Sequence, residues 1–225
     1  MTGSENHATL MDDVYRYQRY IYDFTRKYYL FGRDRLIREL DLKPGERLIE
    51  VGCGTARNLI AMARRYPQAR LYGLDASQEM PKTAEQAIAR AGLTGRIRLV
   101  HAYAEALTPA LFGETEPFDR AVFSYSLSMI PDWRQALRAA SETLAPDGRI
   151  HVVDFGDLTG LGSAGAWLIA GWLRLFHVQP RVEILHSLES RAATNTRTAN
   201  GLRILFARYA FILCSGRESV LQIAH

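Results

Sequence analysis

Cysteine is scarce in this chain of 225 residues: Cys53 and Cys214 are its only two. Such a count excludes a scaffold built on disulfides. No charged stretch followed by an apolar core opens the sequence, so a reducing, cytoplasmic location is expected. Long apolar runs are also missing. The richest, "GAWLIAGWLRLF" from Gly165 to Phe176, is interrupted by glycine and falls short of the roughly 20 residues a membrane span needs. A core helix or a segment lying on a surface remains open for it. No Cys, His and carboxylate residues recur at metal-binding spacing, so no metal is expected. A Gly-Lys pair followed by Ser or Thr is absent too, which excludes a phosphate-cradling P-loop. No internal repeat is visible.

What is present is the balance of a globular protein, 48% hydrophobic and 23% charged. One core is expected over 1–225: a helical lid at 1–40, a binding core at 41–157, and a substrate-side insertion with closing strands at 158–225. The net charge of +4 is unevenly spread. Between Val14 and Arg38, seven basic side chains (Arg16, Arg19, Arg26, Lys27, Arg33, Arg35 and Arg38) face only Asp23 and Asp34. A basic helix of this kind meets an anionic bilayer or a nucleic acid, or is simply a solvated face.

Val14, Tyr17, Ile21, Phe24, Tyr28 and Phe31 step by three and four, the stripe of an amphipathic helix. A second helix is predicted over Leu36–Leu42, ended by the "KPGE" turn at Lys43–Glu46. Beyond it, β-type runs alternate with helical stretches: "RLIEVG", Asn58–Arg65, "RLYGLD", Gln78–Ala91, "IRLVHA", "FDRAVFSYS", Trp133–Leu144 and "GRIHVVDF". That alternation predicts an α/β fold, a mostly parallel sheet with helices on both faces. The tail "LRILFARYAFILCSG" reads as one long or two short strands closing the sheet.

Gly52 and Gly54 stand where the first strand turns into a helix, leaving room for a ligand against the backbone. The third glycine of the dinucleotide fingerprint is replaced by Arg57, which argues against the close pyrophosphate approach of NAD enzymes. Asp75 ends the second strand, where a carboxylate accepts from ribose hydroxyls. Glu50 precedes the loop and offers a second carboxylate to a cationic part of the ligand. Together these residues point to a nucleoside.

With these motifs the chain resembles the class I S-adenosylmethionine-dependent methyltransferases, from about Asp41 to Asp154: "EVGCGTARN" is the glycine loop, "GLDASQEM" the ribose segment, "HAYAEAL" the adenine segment, and "FDRAVFSYSLSMIPDW" the fourth strand and its loop. The resemblance implies a seven-stranded Rossmann-like sheet with an N-terminal lid, and S-adenosylmethionine as cofactor. It places Gly52, Gly54, Thr55 and Asn58 around the methionine part, Ala76, Ser77 and Met80 beside adenine, and Ala104 and Glu105 at its rim. Tyr103 stands where that family often has Asp, and Pro81 where it usually has an apolar residue.

The loop "SYSLSMIP" faces the methyl group in that family, with Ser124 and Tyr125 on the methyl side. It is not the Asn-Pro-Pro-Tyr type, which disfavours a nucleic-acid substrate. Eight aromatic side chains between Tyr15 and Phe31 suit a lid over a sulfonium or methylammonium. Tyr22 and Arg26 are the candidates to close over the cofactor carboxylate. Tyr22, Tyr125 and His177 are the candidates for catalysis. Cys53 reads as buried filler. The N-terminal run, "SYSLSMIPDW" and "LFHVQPR" further resemble the N-methyltransferase of bacterial betaine-lipid synthesis. That implies trimethylation of diacylglyceryl-homoserine by a peripheral protein on the inner face of the membrane; a quinone or small soluble amine is the alternative acceptor.

Overall fold

A computed structural model describes residues 31–77, 80–175, 178–194 and 201–222. The chain divides into two units, Met1–Phe31 and Gly32–His225, and the description below concerns the second. Residues 1–30 of the expected N-terminal lid, with all of its aromatic stripe but Phe31, lie outside the described residues.

Seven strands form one sheet: β1 (Arg47–Val51), β2 (Arg70–Asp75), β3 (Ile97–His101), β4 (Phe118–Ser124), β5 (Leu144–Phe155), β6 (Leu202–Leu205) and β7 (Ala210–Gly216). Their spatial order is β3-β2-β1-β4-β5-β7-β6. The first five run parallel, β7 lies antiparallel to β5, and β6 antiparallel to β7. β1 lies inside the sheet between β2 and β4 with Leu48–Val51 buried, which is why it reads as a mostly apolar run rather than an alternation. The tail therefore forms two strands, joined by a turn in which Phe206, Ala207 and Arg208 all take left-handed backbone angles.

Helices α1 (Arg33–Arg38), α2 (Arg57–Arg65), α3 (Met80–Arg90), α4 (Trp133–Glu142), α5 (Gly162–Leu175), α6 (Val182–Thr194) and α7 (Arg217–Leu221) connect and flank the strands. α1 begins earlier and ends sooner than Leu36–Leu42. Gly32, at φ +85°, turns the chain directly into it, and Asp41, at φ +49°, lies beyond its end. Leu36, Ile37 and Leu40 are buried, and the segment lies in the second of the two units. Pro81 occupies the second position of α3, where a missing N–H costs nothing. Asp132 caps α4 by accepting from the Gln135 N–H at 3.1 Å.

The core between β2 and α4 is aromatic. Tyr72, Phe112 and Phe118 meet edge-to-face at 5.3–6.0 Å, and the Tyr72 hydroxyl donates to Glu114 at 2.8 Å. At the other side of the sheet, Arg208 donates two hydrogen bonds to Glu189 and grips Asp157, tying the β6–β7 turn to α6 and to the exit of β5. The guanidinium holds the Asp157 carboxyl well below the usual carboxylate range.

α5 departs from the ordinary packing of an apolar helix. Leu173 is its only buried residue among the described side chains, while Trp167, Leu168 and Leu175 are 74%, 64% and 72% exposed. At 100° per residue these three fall on one face. Among the described residues no helix is long and apolar enough to cross a membrane.

Candidate functional site

Strand order reverses between β1 and β4, and at such a switch point the carboxyl ends of the strands open a crevice. Gly52 follows β1 at φ +76°, Gly54 at φ +52° and Ala56 at φ +58°, so every second residue of the loop is left-handed. The loop is sewn to β2: the Gly52 and Cys53 N–H groups both donate to the Leu74 carbonyl, at 2.8 and 3.1 Å. A Cβ on Gly52 would stand 2.6 Å from the Ser126 Cβ, so glycine is required here for conformation and for space.

Asp75 does more than the sequence suggested. One carboxylate oxygen accepts from the Gly54 N–H at 2.7 Å, the other from the Ser77 N–H at 2.9 Å. The acid thus shapes both loops flanking the crevice, and each oxygen retains a lone pair for a further donor, such as the ribose hydroxyl expected there. Ala76 follows, with its carbonyl held by His101 Nε2 at 2.9 Å; a carbonyl only accepts, so that nitrogen carries the proton. Met80 opens α3. Ala104 and Glu105 form a short 3-10 turn after β3 that packs against α4, with Ala104 buried and Tyr103 exposed beside it.

Glu50 is buried, and Asn58 on the first turn of α2 donates to it at 2.6 Å. The sequence assigned these residues separately; the fold makes them a pair. Thr55 lies in the same loop, one residue before the left-handed Ala56. No Lys or Arg stands among the assigned residues described here, whereas Glu50 and Asp75 place two carboxylates around the loop. The Cys53 thiol is pushed up by its burial and then by the charges of Glu50 and Asp75. That potential repels pyrophosphate and suits a ligand carrying a sulfonium and an ammonium. It also keeps Cys53 protonated and inert, as filler should be.

The loop after β4 is the segment expected to face the methyl group. Ser124 and Ser126 are buried, with side-chain oxygens that meet no partner among the described residues. Tyr125 takes φ +56° and turns its ring into the core, edge-on to Phe155 at 4.7 Å. Its side chain is buried against Phe155. Tyr22, Arg26 and His177 lie outside the described residues.

Two side chains missed in the sequence fix this loop. Asp154, wholly buried at the end of β5, accepts from the Ser128 N–H at 3.1 Å. Arg181 donates to the carbonyls of Leu127 at 3.1 Å and Ile130 at 2.7 Å, while the Gln179 N–H reaches the Ser128 carbonyl at 2.9 Å. The available signal for Asp154 was a lone acid in an otherwise apolar strand, "IHVVDF". Arg181 carried no local signal.

Burial pushes the Asp154 carboxyl up to about 6, against backbone N–H groups that pull it down. A raised acid favours the protonated folded state. Stability from this group is therefore present below about pH 4 and lost as pH rises through 6, a swing of about 3 kcal/mol. Asp154→Asn is expected to gain stability over wild type at pH 8 and to match it near pH 4, read by urea unfolding at both. His151, lowered to about 3 by burial, Arg120 and Arg149, acts oppositely in both proteins and cancels in the difference.

A methyltransferase-domain profile matches residues 48–148. The ubiquinone/menaquinone biosynthesis C-methyltransferase of Syntrophotalea carbinolica is 31% identical over 168 residues, 72% of this chain and 66% of that one. The demethylmenaquinone methyltransferase of Geobacillus kaustophilus is 31% identical over 143 residues, 63% of this chain and 55% of that one. The chain thus spans about 55–66% of the length of these curated relatives. Among solved structures, the S-adenosylmethionine-dependent methyltransferase SibL in its apo form superposes with a TM-score of 0.60 at 20% identity, over 89% of this chain and 57% of that one, and bears on the fold alone. Residues 48–148 thus carry a methyltransferase domain, and with the glycine loop, the Asp75 carboxylate at the strand end and this strand order the chain is similar to the class I S-adenosylmethionine-dependent methyltransferases.

Proposed function

We propose that this protein methylates a lipid-soluble acceptor taken from a membrane surface, and that the acceptor is a quinone ring carbon. The observation carrying this reading is the exposed apolar face of α5, on a segment with no charged residue from Leu158 to Leu173. The quinone-methylating relatives supply the acceptor class. A buried Trp or Leu side chain is worth about 1.5–3 kcal/mol, so three of them suffice for reversible attachment to a bilayer.

When bound, S-adenosylmethionine supplies a methyl group already activated by its sulfonium, so positioning does most of the work. Asp75 and the bare backbone at Gly52 and Gly54 hold the nucleoside end. Glu50, kept in place by Asn58, faces the cationic end. Asp154, Arg181 and Gln179 fix the loop that walls the methyl side, and the burial of that loop excludes water. The acceptor is taken as the reduced hydroquinone: its ring carbon receives the methyl with electron density from a deprotonated neighbouring hydroxyl and then loses its own proton; Asp154, enclosed by N–H donors, shapes the wall rather than taking a proton.

Trimethylation of diacylglyceryl-homoserine is the second reading, favoured by the likeness of the N-terminal run, "SYSLSMIPDW" and "LFHVQPR" to the betaine-lipid enzyme. Incubation with labelled S-adenosylmethionine and each acceptor in turn decides between them. Label in a demethylmenaquinone one methylene heavier supports the first reading, and label in the lipid headgroup replaces it with the second. Attachment is tested separately: Trp167→Ser is expected to weaken binding to phospholipid vesicles by about 10-fold while leaving S-adenosylhomocysteine affinity unchanged.

A further inference from the structure

The end of the sheet opposite the nucleoside crevice holds a cleft of about 220 Å³, lined by Arg70, Tyr72, Arg96, Arg98 and Glu114 among others. It opens where β2 and β3 begin. β2 runs from Arg70 to Asp75, so at about 3.3 Å per residue the cleft lies roughly 16 Å from the ribose acid.

Charge does not balance there. Glu114 receives Arg98 Nη1 at 3.0 Å and the Tyr72 hydroxyl at 2.8 Å, and faces Arg47 Nε at 3.7 Å. Arg98 Nη1 also reaches the Phe112 carbonyl at 3.1 Å. Asp119 accepts the main-chain N–H of Arg47 at 2.8 Å and, among the described residues, no guanidinium. No acceptor among the described residues engages the guanidinium of Arg70 or Arg96, and Arg47 Nε and Arg96 Nη2 are buried donors without an acceptor. Buried donors are almost always satisfied. Four guanidiniums beside the two carboxylates of Glu114 and Asp119 therefore leave both positive charge and N–H groups in excess.

We propose that this cleft binds a small phosphate-bearing anion, with Arg70 and Arg96 as its principal donors and Glu114 orienting Arg98 and Arg47 beside it. The planar fork of a guanidinium matches the oxygens of a phosphate two at a time. The volume holds one or two phosphate groups and is below the 300 Å³ or more of sites for larger ligands. The assignment is independent of the methyl acceptor.

Calorimetric titration of the full chain with sodium pyrophosphate, at ionic strength held constant with chloride, tests it. A dissociation constant of about 0.1–1 mM is expected. Arg70→Gln with Arg96→Gln should weaken binding at least about 10-fold, with S-adenosylhomocysteine affinity unchanged as evidence of an intact fold. Arg96→Lys, which keeps the charge and loses the fork, should weaken it by a smaller factor. Asp75→Ala should leave pyrophosphate binding as it was. No heat up to about 10 mM, or equal affinity in the double variant and in Arg96→Lys, overturns the proposal.

Discussion

Replacing Asp75 by Ala is expected to lower S-adenosylhomocysteine affinity by about 30- to 1000-fold, a loss of about 2–4 kcal/mol. Two contributions add. The ribose loses a charged acceptor, and the Gly54 and Ser77 N–H groups lose the carboxylate that sets their loops. A double-mutant cycle separates them. A ligand lacking the ribose hydroxyls should bind wild type more weakly than S-adenosylhomocysteine does, yet bind Asp75→Ala with little further loss. If Asp75→Ala retains wild-type affinity, the nucleoside is held elsewhere. Asp75→Asn should fall between the two, since an amide oxygen accepts from one of the N–H groups while its NH₂ repels the other.

Gly52→Ala is the second large effect. An alanine at φ +76° costs about 1 kcal/mol, and a Cβ 2.6 Å from that of Ser126 adds about 1–3 kcal/mol of overpacking. For a chain of this size the thermal midpoint should fall by about 5–15 °C. Cofactor affinity should fall by at least 100-fold, because the displaced atoms belong to the loop that walls the methyl side. Combining it with Ser126→Gly removes the steric part and leaves the backbone strain. The pair should recover part of the midpoint; full recovery would show that the left-handed angle costs nothing, and no recovery that the contact is not the cause.

The frame of the site was legible because it is local. Gly52, Gly54 and Asp75 stand at strand ends whose apolar runs are unmistakable, and a missing Cβ is a sequence fact. The seven strands and the alternation of helices followed for the same reason. What escaped the sequence depends on register and crossing chains. Asp154 and Arg181 meet the loop after β4 only because β5 pairs with β4 and the segment before α6 crosses it. The left-handed angle of Tyr125 and its contact with Phe155 had no local signal either. Glu50 and Asn58 were both chosen for the ligand, while their mutual hydrogen bond depends on α2 starting directly after the loop. The uncharged run at Leu158–Leu173 was legible as unusual, but its composition gave no sign that the helix would turn Trp167, Leu168 and Leu175 outward.

The order in which the strands sit has a consequence for synthesis. β5 is complete at Phe155, yet its outer neighbour β7 begins only at Ala210. While the intervening residues leave the ribosome, β5 has no antiparallel partner and its Arg149–Phe155 backbone groups stand open as a sticky border. A nascent chain stalled before Ala210 should thus be the most aggregation-prone species this gene makes, and the one most in need of a chaperone.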